Sequence, residues 1–138
     1  MKDCVFCKII LGEIEAVKVF ENNHILAFLD IAPINPGHTL VIPKDHNESL
    51  STMSNEAKEQ LLDIAGKIGQ ALIRTSDYDG YNLQLNHGEC AGQAVKHCHM
   101  HVIPRIGTDG FHWNWRSLKI SSPEAQSIAE KIKERLSS

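Results

Sequence analysis

Three histidines alternate in His97-Cys98-His99-Met100-His101, and two cysteines stand three apart at Cys4 and Cys7. These are the residues whose types and spacing can do chemistry. Imidazole is near neutral at physiological pH, so it can serve as nucleophile, proton carrier or metal ligand. On a helix the middle ring would point away from the outer two. On a strand all three share one face, while Cys98, Met100 and Val102 share the other. That apolar second face, followed by Ile103-Pro104, favours a strand, with a ring about every 6.6 Å. A single zinc ion with nitrogen ligands at about 2.0–2.1 Å cannot gather all three, because the outer backbones would lie about 13 Å apart. At most two neighbours share a metal, and the third does something else.

A lone histidine reads as a polar residue on a solvated strand or a hydrogen-bonded core residue. Three in alternation, just after Gly88-Glu89-Cys90-Ala91-Gly92-Gln93, read differently. Glycine lets backbone N–H groups approach an anion closely. Imidazoles beside such a loop suit attack on phosphorus and proton delivery to its leaving group.

Short elements must position these groups. Cys4 to Leu11 predicts a knuckle and short helix, stopped near Gly12. Val17–Glu21, Ile25–Leu29, Thr39–Pro43, Tyr81–Asn86 and roughly Val95–Pro104 read as strands. Leu61, Ile64, Ala65, Ile68, Ala71 and Leu72 follow helical spacing and predict a helix over Ser54–Thr75, capped by Ser54 or Asn55. A last helix begins at Ser122-Pro123-Glu124, with Ala125, Ile128, Ala129, Ile132 and Leu136 as its buried face. The fold class is α+β: a mainly antiparallel sheet with two substantial helices.

At 138 residues and a formal charge of −3, one domain over 1–138 is expected. No basic block points to a nucleic-acid polymer, no apolar run is long enough for a membrane, and no signal-peptide core follows Met1. The expected setting is cytoplasmic, where thiols or metal ligands are more plausible than disulfides.

The segment Gly92-Gln93-Ala94-Val95-Lys96-His97-Cys98-His99-Met100-His101-Val102-Ile103 resembles the signature of the histidine triad (HIT) nucleotide-binding family. Cys4-Val5-Phe6-Cys7-Lys8-Ile9-Ile10, Phe28-Leu29-Asp30 and Gly37-His38-Thr39-Leu40-Val41-Ile42-Pro43-Lys44 extend the likeness from Cys4 to Arg105. The resemblance implies a HIT-like fold paired into a homodimer through the Ser54–Thr75 helix and adjoining strand. It makes His99 the nucleophile on a purine nucleotide's α-phosphorus, forming a nucleotidyl-histidine that water cleaves. The far nitrogen of His99 needs an acceptor, and a backbone carbonyl is the simplest one. His101 would contact phosphate and move protons, with His38 supporting it. Asn86, Gly92, Gln93, Ala94 and Val95 would surround the phosphate or leaving group. Asp30 would take the ribose hydroxyls, and Val5, Phe6, Ile9, Phe28 and Ile31 the base. Relatives often carry a hydroxyl where this chain has Ala94, which bears on substrate more than on mechanism.

Cys4 and Cys7 alone fit small core residues, a redox pair or half a metal site. The zinc-containing branch of the superfamily supplies two cysteines and two histidines at the resembling positions, here Cys4, Cys7, His46 and His97. That implies one structural Zn²⁺ per chain, closed to water and not required for chemistry. The activity implied is a nucleotide phosphoramidase or dinucleoside polyphosphate hydrolase. The alternatives are a nucleotide-binding signalling module with negligible turnover and a zinc-dependent hydrolase. Phe111, Trp113 and Trp115 alternate and could face the site, a second subunit or the core.

Overall fold

The computed structural model describes residues 3–137. Five strands, β1 (Lys18–Glu21), β2 (Ile25–Leu29), β3 (Thr39–Pro43), β4 (Gly80–Leu85) and β5 (Met100–Arg105), form one antiparallel sheet in the order β1-β2-β3-β5-β4. Around it stand α1 (Val5–Ile10), α2 (Asn55–Thr75) and α3 (Ser122–Leu136). This is the α+β architecture the sequence predicts.

The two sheet faces divide the core. Ile25, Ala27, Val41, Cys98, Met100 and Val102 pack with Leu61, Ile64 and Ala65 of α2. Leu26, Phe28, Leu40 and Ile42 point the opposite way and pack with Phe6 and Ile9 of α1. Period-two alternation sends neighbours to opposite faces. Because both faces are covered, β2 and β3 are apolar almost throughout. Ser54 caps α2, its hydroxyl accepting the Ala57 N–H at 3.1 Å, a device worth about 1 kcal/mol.

The structure corrects three boundaries or faces. β5 begins at Met100, not Val95. Its pairing with β3 and β4 ends at Met100, and the Cys98 N–H turns instead to the Asn47 carbonyl at 2.6 Å. His97 and His99 therefore sit on an irregular approach to the strand, although Cys98 still faces the α2 core as alternation requires. The cap of α3 is Ser121, whose hydroxyl accepts the Glu124 N–H, one residue before the expected start. The expected buried face of α3 is exposed: Ile128 is 43%, Ile132 54% and Leu136 81% accessible. Its periodicity is real, but among the described residues nothing buries these three side chains. Phe111 and Trp113 pack edge to face with centroids 4.8 Å apart, while Trp115 is exposed.

Candidate functional site

His99 is buried where β5 begins, with Phe6 of α1 edge-on to its ring at 5.1 Å. Its Nδ1 lies 2.6 Å from the His97 carbonyl oxygen. A carbonyl only accepts, so Nδ1 carries the proton and Nε2 keeps a free lone pair. The acceptor is a backbone carbonyl, as expected, and it comes from within the motif itself.

His101 stands beside it, ring centroids 5.1 Å apart. Its Nδ1 is 2.9 Å from Nε2 of His38, and the direction of that bond can be derived. The backbone N–H of Ile34 donates to Nδ1 of His38 at 3.0 Å. The single proton of neutral His38 is then on Nε2, which donates to Nδ1 of His101. His101 in turn carries its proton on Nε2. A one-way chain results: Ile34 N–H to His38, His38 N–H to His101, and His101 with one N–H left to give. Burial, with the neighbouring His99 and His38 rings, pushes His101 down to about 4, and burial also lowers His38. Both are neutral near pH 7. The Asp30 carboxylate lies 3.6 Å from Nε2 of His38, while its other oxygen accepts the Ala32 N–H at 2.9 Å.

On the other side of His99, Cys4, Cys7, His46 and His97 bring four ligand atoms within 4.8 Å of one another. Nδ1 of His97 is 3.4 Å from the Cys4 sulfur and 3.6 Å from that of Cys7; Nδ1 of His46 is 3.3 Å from Cys7. A tetrahedral ion at about 2.3 Å from sulfur and 2.0–2.1 Å from nitrogen needs these pairs about 3.6 Å apart, so the donor set fits zinc. Nε2 of His97 donates to the Pro43 carbonyl at 2.8 Å, leaving Nδ1 free to ligate, the usual arrangement of a ligating histidine. Burial, then the adjacent Cys4, raises the Cys7 thiol; a bound cation would reverse that by holding the thiolate.

The loop from Gly88 to Gly92 turns at two positive-φ glycines, and a Cβ on Gly92 would press the Asn86 amide at 3.2 Å. Gln93 is spent on that loop. Its carbonyl accepts the Gly88 N–H and its amide donates to the Glu48 carbonyl, each at 2.9 Å. Asn86 reaches the Gly92 carbonyl at 3.4 Å. The backbone N–H groups of Ala94, Val95 and Lys96 donate to no acceptor among the described residues.

The apolar residues separate. Ile9, Asp30 and Ile31 line one cleft of about 650 Å³, together with Ile14, Val17 and Leu29. Phe6 and Phe28, 5.5 Å apart, belong to the α1 core. Val5 faces a different cleft of about 640 Å³, with His46, Ala94, Val95 and Lys96. The sequence reading missed the wall from Ile14 to Val17, where Ile14, Ala16 and Val17 around Glu15 were the signal. It also missed Ile34 and Pro43, whose contributions are backbone atoms and carry no residue-type signature. His24 pairs with Glu56 on the surface.

A model of the HIT domain matches residues 11–108. The crystal structure of a member of the HIT family from Bacillus subtilis superimposes with a TM-score of 0.90 at 43% identity, covering 99% of each chain. An adenosine 5'-monophosphoramidase of Schizosaccharomyces pombe is 38% identical over 96% of this chain and 98% of its own length. A zinc-bound histidine triad family protein from Mycobacterium smegmatis aligns with a TM-score of 0.76 at 35% identity over 85% of both chains.

Proposed function

Because the chain belongs to the histidine triad family, we propose that it is a purine nucleotide hydrolase, a phosphoramidase or dinucleoside polyphosphate hydrolase working through a nucleotidyl-histidine. The observation that carries this reading is His99, buried, with Nδ1–H on the His97 carbonyl and its Nε2 lone pair free. Nε2 attacks the α-phosphorus; the phosphorus–nitrogen bond forms as the bond to the leaving group breaks, its electron pair going to the leaving atom. His99 keeps its Nδ1 proton, so the adduct is a cationic phosphoimidazole and a reactive leaving group. Water then attacks phosphorus. Its OH completes the nucleotide monophosphate, its remaining proton balances the departed group, and His99 is regenerated.

His101 presents Nε2–H to the phosphate or leaving atom, oriented by His38. The free N–H groups of Ala94, Val95 and Lys96 are placed in sequence to hold phosphate oxygens. Asp30 receives the ribose hydroxyls, with Ile9 and Ile31 beside the base. The S. pombe relative is named for adenosine 5'-monophosphoramidate cleavage, which supports adenosine phosphoramidate as the first substrate to try. Cys4, Cys7, His46 and His97 would hold one structural zinc, which braces the approach to β5 and leaves the attack to His99. Four unpaired thiols suit a reducing cytoplasm.

A homodimer is part of the same reading. Leu62 on α2 is 56% accessible, Leu83 on the edge strand β4 40%, and the α3 stripe is exposed. Light scattering should report twice the 15.4 kDa chain mass; a monomer through the micromolar range would refute the pairing.

The deciding experiment is rapid quench with labelled adenosine phosphoramidate. The wild type should give an acid-labile, base-stable protein–nucleotide adduct, and His99→Ala should give neither adduct nor AMP while still binding AMP. Near-wild-type turnover by His99→Ala would overturn the covalent mechanism. Wild-type protein that binds nucleotides but turns none over would favour the signalling-module alternative.

A further inference from the structure

We propose that Asn35 and Asp109 are positioning residues that hold His38 in the one tautomer able to feed His101. The inference rests on the relay role given above to His38 and His101. The one hydrogen bond that sets the tautomer of His38 from its Nδ1 side is the Ile34 N–H. The Asp30 carboxylate, 3.6 Å from Nε2, favours the same form. The turn that supplies the Ile34 N–H is pinned at the next residue. Asn35 spends both amide hydrogens outward, on the Pro104 carbonyl and on the Asp109 carboxylate, each at 2.9 Å. Its own carbonyl accepts the His38 N–H at 3.0 Å.

Asp109 is built to receive that bond. Its side chain is only 5% accessible. Arg105 grips it through Nε at 2.7 Å and Nη2 at 3.2 Å, and the Phe111 N–H donates to it at 3.0 Å. A forked guanidinium–carboxylate pair is strong and directional. Arg105 ends the strand in which His101 lies four residues earlier. Asp109 therefore ties the turn that carries His38 to the strand that carries His101, beside the β3–β5 pairing that sets Leu40 opposite His101, and so helps to hold the 2.9 Å gap between the rings.

Loosening the turn has a defined chemical consequence. Without the Ile34 N–H on Nδ1, His38 can move its proton there. Its Nε2 then faces Nδ1 of His101 as a second acceptor. His101 must shift its own proton to Nδ1, and the Nε2–H aimed at the substrate is gone. Asp30 and the apolar cleft hold the nucleoside without that hydrogen, which serves the reacting phosphate and leaving atom, so the loss should appear mainly in kcat.

The test uses zinc-loaded, full-length protein with ¹⁵N-labelled histidine rings. In the wild type His38 and His101 should each show one tautomer, protonated on Nε2. Asn35→Ala should shift the His38 ring signals toward averaged values. Its kcat on adenosine phosphoramidate should fall about tenfold, part of the ~10²–10⁴ that proton assistance supplies, with KM nearly unchanged. Asp109→Asn, which keeps the shape, should do the same to a smaller degree. Ile64→Val, a core variant away from the relay, should lower the unfolding midpoint without moving the ring signals. Unmoved His38 signals in both Asn35→Ala and Asp109→Asn, or an unchanged kcat, would overturn the proposal. Failure of the nucleophile assignment shows separately, as a missing adduct, because the ring signals are read without turnover.

Discussion

His99 lies between two corners that look alike as lists of side chains and differ in what they can do. Cys4, Cys7, His46 and His97 gather ligand atoms within 4.8 Å, and so do Asp30, His38 and His101. The difference is the direction of one backbone hydrogen bond. At the first corner the Pro43 carbonyl accepts from His97, which leaves a lone pair for a metal. At the second the Ile34 N–H donates to His38, which puts a proton where a metal would have to bind. A metal on Nε2 of His38 would force its remaining proton onto Nδ1, against another N–H. The first corner could hold a cation, and the second could pass a proton.

The largest expected effect comes from breaking the metal corner. Cys4→Ser with Cys7→Ser should lower zinc from about one per chain to almost none, because a structural site needs its full donor set. Its unfolding midpoint should drop by about 10 °C or more, at roughly 3–5 °C per kcal/mol for a chain of this size. Chelation of the wild type should unfold the protein and stop turnover together; activity lost while the fold persists would favour the zinc-dependent hydrolase instead. At the relay corner, His101→Ala should slow turnover by ~10²–10⁴ while the adduct on His99 still forms. A turnover loss as complete as that of His99→Ala would give His101 a larger part. A smaller but sharper test adds cobalt to zinc-loaded protein: no second tight equivalent should bind. A second equivalent lost in His38→Ala would mean that the tautomer argument fails.

The same contrast explains what could be read from the chain. Short apolar runs located β2 and β3, and a period-3.6 stripe located α2, because each buries one or both faces within this chain. The pattern of α3 was equally clear, but among the described residues its apolar stripe is exposed, so its burial could not follow from periodicity. The grouping of His99 with His97 and His101 was legible because its neighbours in sequence are its neighbours in space. The tautomers were not. They depend on Pro43, Ile34 and the turn at Gly37, where φ is +97° and a Cβ would strike Leu72 at 2.7 Å. Backbone atoms of any residue type could occupy those places. Gln93 shows the converse, a polar side chain near a candidate phosphate loop whose oxygen is already committed to the loop and whose NH2 is committed to the Glu48 carbonyl.

The smallest expected effect is a slope with pH, and its sign follows from His101. Burial, then His99 and His38, lower this ring from 6.5 to about 4. Between those values the unfolded chain holds a proton on His101 that the folded chain does not. Stability therefore falls as pH is lowered from 6.5 toward 4, and His101 contributes no slope above 6.5. Burial of His38 adds in the same direction. Acid also releases metal from thiolate and imidazole ligands, so the measurement is a difference: unfolding midpoints of wild type and His101→Gln compared from pH 7.5 to 4.5. Metal loss is common to both and cancels. The variant should show the shallower slope, and its midpoint should gain on the wild type as acid is added. Parallel midpoint curves would mean that His101 is not held neutral by its burial, and the relay corner would lose the property that separates it from an ordinary surface histidine.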